Sequence, residues 1–195
     1  MIFGQLGAAA DAQVCYRAMV ATQQWRAPRP WGELDVTAYD ALVLPGGHAP
    51  GMRQYLGNTT LQAQVARYWA LGRPVGAICH GVLVLARTVA PDGRSVLHGH
   101  RTTCLPKYLE RAGYYATAWK LGRYYRTYPA YVQDEVVSSL ASPADFVRGP
   151  LTLLRRGTDA DDGPAFVVED GRYVSARWPG DAYLFAKTLL TRLPV

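Results

Sequence analysis

Pro74-Val75-Gly76-Ala77-Ile78-Cys79-His80-Gly81-Val82-Leu83-Val84-Leu85-Ala86 is the stretch on which the fold turns. Its first five residues form an apolar run short enough for a buried strand, and its last five carry a helical pattern. A strand that turns sharply into a helix, with a thiol at the turn, is the arrangement of a nucleophile elbow. Ala77 and Gly81, two positions to either side of Cys79, are small, as a turn that brings their backbones together requires. At a helix N-terminus, unpaired N–H groups and the helix dipole favour a thiolate, and His80 stands beside the thiol as a base. The competing reading is a small buried cysteine packed like any apolar residue at a strand end.

A chain of 195 residues suits one domain over 1–195, and 49% hydrophobic with 18% charged residues is the balance of a globular protein with a full core. No apolar stretch is long enough to span a bilayer, and Met1 to Leu6 lacks the basic start of a signal peptide, so no membrane partner is expected. Three cysteines (Cys15, Cys79 and Cys104) are an odd number at unrelated spacings, which points to a reducing, cytoplasmic setting. No Cys or His cluster has zinc-site spacing; His98 and His100, alternating on a strand, make a poor metal site, and none is expected. The net charge of +6 raises the question of nucleic acid. Basic and aromatic residues interleave from Lys120 to Arg126, but the excess is otherwise spread along the chain without a recognition motif. Nucleic acid is therefore not the expected partner.

The rest of the chain alternates strand and helix. A helix spans about Asp11 to Val20. Tyr39 to Pro45 reads as a buried strand ending at the turn Gly46-Gly47-His48-Ala49-Pro50-Gly51. A helix capped near Thr59 or Thr60 carries Leu61, Val65, Tyr68 and Trp69, and Gly72 stops it. Ser95 to Thr103 reads as a further strand. Pro106 opens a helix through Leu121, with Leu105, Leu109, Ala112, Ala116 and Trp119 in phase, and another helix starts at Pro129. Residues 142–163 read as a surface excursion, residues 165–176 as a β-hairpin, and a final helix starts with Asp181 as its N-cap. This order implies an α/β domain with a mostly parallel sheet covered on both faces. Doubly wound domains usually begin with a central strand, yet the first one here starts near Tyr39. Either the sheet lacks its first strand or the chain is shorter than a longer parent.

Three stretches carry a resemblance: Leu44-Pro45-Gly46-Gly47-His48, the elbow Ala77-Ile78-Cys79-His80-Gly81, and the ending from Asp170 to Ala182 with its Arg177-Trp178-Pro179-Gly180-Asp181 core. Together they resemble the ThiJ/PfpI superfamily, whose flavodoxin-like folds are related to class I glutamine amidotransferases. The Gly-Gly-His turn and Thr102-Thr103-Cys104-Leu105-Pro106 look most like its heat-shock chaperone/glyoxalase III branch. The resemblance implies a catalytic triad of Cys79, His80 and, by spacing, Glu110. It further implies an oxyanion hole and substrate-binding turn at Gly46, Gly47 and His48, a homodimer and no cofactor. The family's early acidic residue, which hydrogen-bonds the cysteine, has no counterpart before Tyr39.

These residues lead first to a cofactor-independent cysteine enzyme acting on a small reactive carbonyl such as a 2-oxoaldehyde. A thiol amidase or hydrolase would use the same groups, and a non-catalytic stress chaperone or redox-sensing module would use Cys79 as an oxidisable thiol. Glutamine amidotransfer is disfavoured, since it uses a late histidine and the last one here is His100.

Overall fold

The computed structural model describes residues 9–126, 128–152 and 155–194. The chain divides into two compact units, residues 1–34 and 35–195. The first holds helix α1 (Ala10–Ala21) and the short helix α2 (Gln23–Arg26), whose first turn is capped by the Thr22 hydroxyl. Neither helix buries a residue, and Tyr16 meets Trp25 edge-on at 6.3 Å.

The second unit holds all four described strands: β1 (Leu42–Leu44), β2 (Val75–Ile78), β3 (Val167–Asp170) and β4 (Tyr173–Ala176). Their order in the sheet is β1-β2-β4-β3, with β1, β2 and β4 parallel and β3 returning antiparallel as the expected hairpin. The chain is thus α/β and flavodoxin-like, with a mostly parallel sheet. All of β4 is buried, as befits a strand covered on both faces. On one face, Val174 and Ala176 pack against Phe185 and Leu189 of the last helix, α8 (Ala182–Leu190). On the other, Ser175 accepts the Thr103 N–H at 3.0 Å, the Tyr173 hydroxyl lies 2.8 Å from that of Thr102, and Trp69 meets the Tyr173 ring. Trp69 belongs to α4 (Thr59–Ala70), which follows the short α3 (Met52–Gly57). Among the described residues no strand pairs with the outer edge of β1, and Val43 there is 51% exposed.

After β2 comes α5 (Val82–Arg87), whose first four residues are buried. Arg87 at its end donates to both Glu135 oxygens, at 2.5 and 2.9 Å, and to the Leu56 carbonyl at 3.1 Å. It thereby ties α5 to α3 and to α7 (Val132–Ser139). The long helix α6 (Lys107–Leu121) completes the unit.

Three expectations fail for physical reasons. Ser95 to Thr103 is not a strand but a run of turns with isolated bridges at Ser95 and Thr102. Gly99 sits at φ +84°, and the Ser95 hydroxyl takes the Leu97 N–H, so local bonds displace a ladder. His98 and His100 consequently do not share a strand face. The cap of α4 is Asn58, whose side chain accepts the Leu61 N–H at 2.8 Å, one residue before the expected threonines. In α6 the buried residues are Glu110 and Thr117, while Trp119 is 79% exposed; the helix buries a polar stripe that hydrophobic phasing does not see.

Candidate active site

Two turns meet where β1 and β2 end side by side. The first is Pro45-Gly46-Gly47-His48 and the second is Cys79-His80-Gly81, a single 3-10 turn before α5. A Cβ at Gly46 would stand 2.6 Å from the Cys79 Cβ, 2.8 Å from the Ile78 oxygen and 2.9 Å from the His80 nitrogen. A Cβ at Gly81 would overlap the carbonyl oxygen of Leu44. The turns interlock by close approach, so glycine is needed at both positions although neither has positive φ. The strain falls on Cys79, at φ +60° the one non-glycine positive-φ residue described. The elbow legible in the sequence is present.

Cys79 and His80 are both buried, and the His80 Nδ1 lies 3.5 Å from the Cys79 sulfur. The thiol is not the depressed one that its place before a helix suggests. Burial pushes it up to about 12; the His80 N–H opposes this, while the Glu110 and Asp181 carboxylates add to it. Desolvation of a thiolate outweighs the dipole of a six-residue helix. Burial, reinforced by His48 and Arg87, brings His80 down to about 3, and burial alone brings His48 down to about 4. Cys79 and His80 are accordingly a neutral thiol beside a neutral imidazole at pH 7.

Glu110 lies near but does not join them by a hydrogen bond. Its carboxylate accepts the Val132 N–H at 3.0 Å and faces Arg126 at 3.9 Å, while the His80 Nε2 has no hydrogen-bond partner. The expected Glu110–imidazole link is therefore replaced by a bond from α6 to the first turn of α7. Burial raises the Glu110 pKa, and the bond from Val132 and the Arg126 charge partly offset that. Gly47 packs against Met52. His48 meets the His80 ring edge-on, 4.4 Å between centroids, and meets Tyr125 at 4.8 Å. Tyr125, one of the aromatic residues interleaved with the basic ones from Lys120 to Arg126, thus packs inward against the site, a place that spacing along the sequence does not reveal.

Asp181 is not a side-chain N-cap. It is wholly buried, and its carboxylate receives Arg177 Nε and Nη2 at 2.9 and 2.8 Å and the Phe166 and Arg177 N–H groups. Arg177 also donates to the Pro150 carbonyl, clamping the loop to the sheet. A cleft of about 470 Å³ beside Thr152, Arg155 and Asp161 includes none of the residues around Cys79. Among the described residues, no group of three His, Cys, Asp or Glu could hold a metal, and no helix is long and apolar enough to cross a membrane.

With this geometry, similarity to known proteins becomes informative. DJ-1 homolog D of Arabidopsis thaliana is 40% identical over 63 residues, which is 32% of this chain and 16% of that protein. A deglycase of Pyrococcus abyssi is 28% identical over 161 residues, 83% of this chain and 66% of the relative. The chain thus spans less than two thirds of the length of either. Glyoxalase III from Candida albicans superposes with a TM-score of 0.66 at 20% identity, covering 95% of this chain and 71% of that one, a likeness of fold. The profile of ThiJ/PfpI family-like proteins matches residues 3–150. That match takes in both interlocked turns and most of the sequence, and the chain belongs to the ThiJ/PfpI family.

Proposed function

We propose that the chain is a cofactor-independent cysteine enzyme that converts a small 2-oxoaldehyde into the 2-hydroxy acid. The observation that carries this reading is the Cys79–His80 contact of 3.5 Å at a strained elbow. A neutral imidazole against a neutral thiol is poised to take the proton as the sulfur attacks, which suits an electrophile as reactive as an aldehyde. The new S–C1 bond forms as the carbonyl electron pair moves to oxygen, giving a hemithioacetal. Transfer of the C1 hydrogen to C2 as a proton then yields a thioester: C1 is oxidised, C2 is reduced, and no outside redox partner is needed. Water cleaves the thioester and returns the thiol. In this reading Gly46 and Gly47 admit the substrate oxygen beside the backbone N–H of the elbow, and His48 lines the pocket. Glu110 is a positioning residue that fixes α7 and Arg126 beside the site.

Relatives described as a deglycase and as a glyoxalase III support carbonyl chemistry. A thiol amidase uses the same pair, and glutamine hydrolysis assayed alongside separates the two. Burial of Cys79 weighs against a redox sensor, which depends on an exposed low-pKa thiol. The reading includes a homodimer, which light scattering after size exclusion tests. For the activity itself, the test is methylglyoxal turnover with detection of lactate. Cys79→Ala is expected to abolish it and His80→Gln to lower it by about 100-fold or more. Full activity in Cys79→Ala would overturn the reading.

A further inference from the structure

Converting a hemithioacetal to a thioester moves two protons, not one. The hydrogen on C1 must reach C2, and the proton on the C1 hydroxyl must reach the C2 oxygen, since C1 ends as a carbonyl and C2 as an alcohol. Two atoms of different basicity therefore need service in one small space. His80 stands against the sulfur that holds C1, and its Nδ1 is the nitrogen facing that sulfur. A second imidazole lies directly beside it.

Resting on the reading above, we infer that His48 is a second catalytic residue, which carries the proton from the C1 oxygen to the C2 oxygen while His80 carries the one between the carbons. Three observations converge on it. His48 follows Gly46-Gly47, and Gly46 lies in contact distance of Cys79, so its backbone is anchored to the elbow. Its ring is wedged between His80, 4.4 Å away, and Tyr125, 4.8 Å away, which fixes its orientation. Its Nε2 is buried and has no hydrogen-bond partner, as is the Nε2 of His80. A buried ring nitrogen without a partner is costly, and two in neighbouring rings mark a place where a polar ligand completes the bonding. Burial also keeps both rings neutral near pH 7, so each offers one N–H donor and one bare nitrogen, the pair of functions needed to take a proton from one oxygen and give one to another. The substrate class follows: a carbonyl carrying a second oxygen on the adjacent carbon, within reach of both rings. A simple aldehyde would have no use for His48.

The test compares wild type, His48→Gln, His48→Phe and Cys79→Ala on phenylglyoxal, with hydrogen or deuterium on C1, in H2O and D2O. His48→Phe keeps an aromatic ring between His80 and Tyr125, and His48→Gln keeps a polar group; thermal melting identifies the variant that retains the packing. In that variant kcat is expected to fall by about 100-fold with KM within threefold. The C1 deuterium effect should shrink and the solvent isotope effect grow, because the oxygen proton now limits the rate. On wild type alone, rates in H2O–D2O mixtures should include an oxygen-bound proton in flight, which keeps the proposal testable if both variants unfold. A kcat within threefold of wild type, or an unchanged isotope pattern, would overturn the role of His48 while leaving the cysteine reading intact. Wild type that is folded but inactive, or Cys79→Ala as active as wild type, would remove both.

Discussion

Cys15, Cys79 and Cys104 sit in different surroundings, and access separates them: Cys15 is exposed and the other two are buried. Limiting iodoacetamide at pH 7.5 should therefore modify Cys15 first, as peptide mapping will show. Labelling of Cys79 should keep climbing with pH through 10 without a plateau, because burial holds its thiol up near 12. A plateau below pH 9 would contradict that. The histidines make the complementary prediction. His48 and His80 are held below the ordinary 6.5, so the unfolded chain binds more protons than the folded one as pH falls through that value. Their neutral burial costs nothing above pH 7 and destabilises progressively from about 6.5 toward 4 and 3. Thermal melts should be highest near pH 7 to 8 and fall as the pH drops through 6.5, and His48→Gln should flatten that fall. The elbow was legible because its small residues, thiol and flanking apolar runs are contiguous in sequence. The sense of the thiol shift was not, because it is set by the burial that the fold imposes on Cys79, with the Glu110 and Asp181 carboxylates adding to it.

At the scale of elements, the interlock of the two turns sets how much change each tolerates. Gly81→Ala would drive a methyl group into the Leu44 carbonyl and push β1 from β2, at a cost of about 3 kcal/mol or more in urea unfolding. Glu110 tests a different joint. Glu110→Ala leaves the Val132 N–H without its acceptor and Arg126 without its counter-charge, so the midpoint should drop. Glu110→Gln, which keeps an acceptor oxygen, should lose less stability. Strands β1, β2 and the hairpin were legible from apolar runs and turn residues. The segment at 95–103 was not, because alternation there is built from histidine and glycine in successive turns, whose bonds are local. The buried face of α6 was missed for a related reason: Glu110 and Thr117 are inside because their bonds are met there.

Across the 35–195 unit, the sheet is held from the hairpin side by the buried Arg177–Asp181 pair, and among the described residues no strand pairs with the outer edge of β1. Arg177→Met would strand the Asp181 charge and free the Pro150 carbonyl, a loss of about 3–5 kcal/mol that a urea midpoint will register. The Asp181 role was hidden, because an acid at a helix start reads as a cap until its partner four residues back is seen to be buried with it.

The meeting of Leu44 with Gly81 joins positions nearly forty residues apart. The Cys79 sulfur is thus placed by a long-range closure, not by its own turn, and helices that form early on local contacts do not prepare it. After dilution from denaturant, far-ultraviolet helix signal should recover first. The turnover proposed above should return only with the slower phase in which β1 and β2 register.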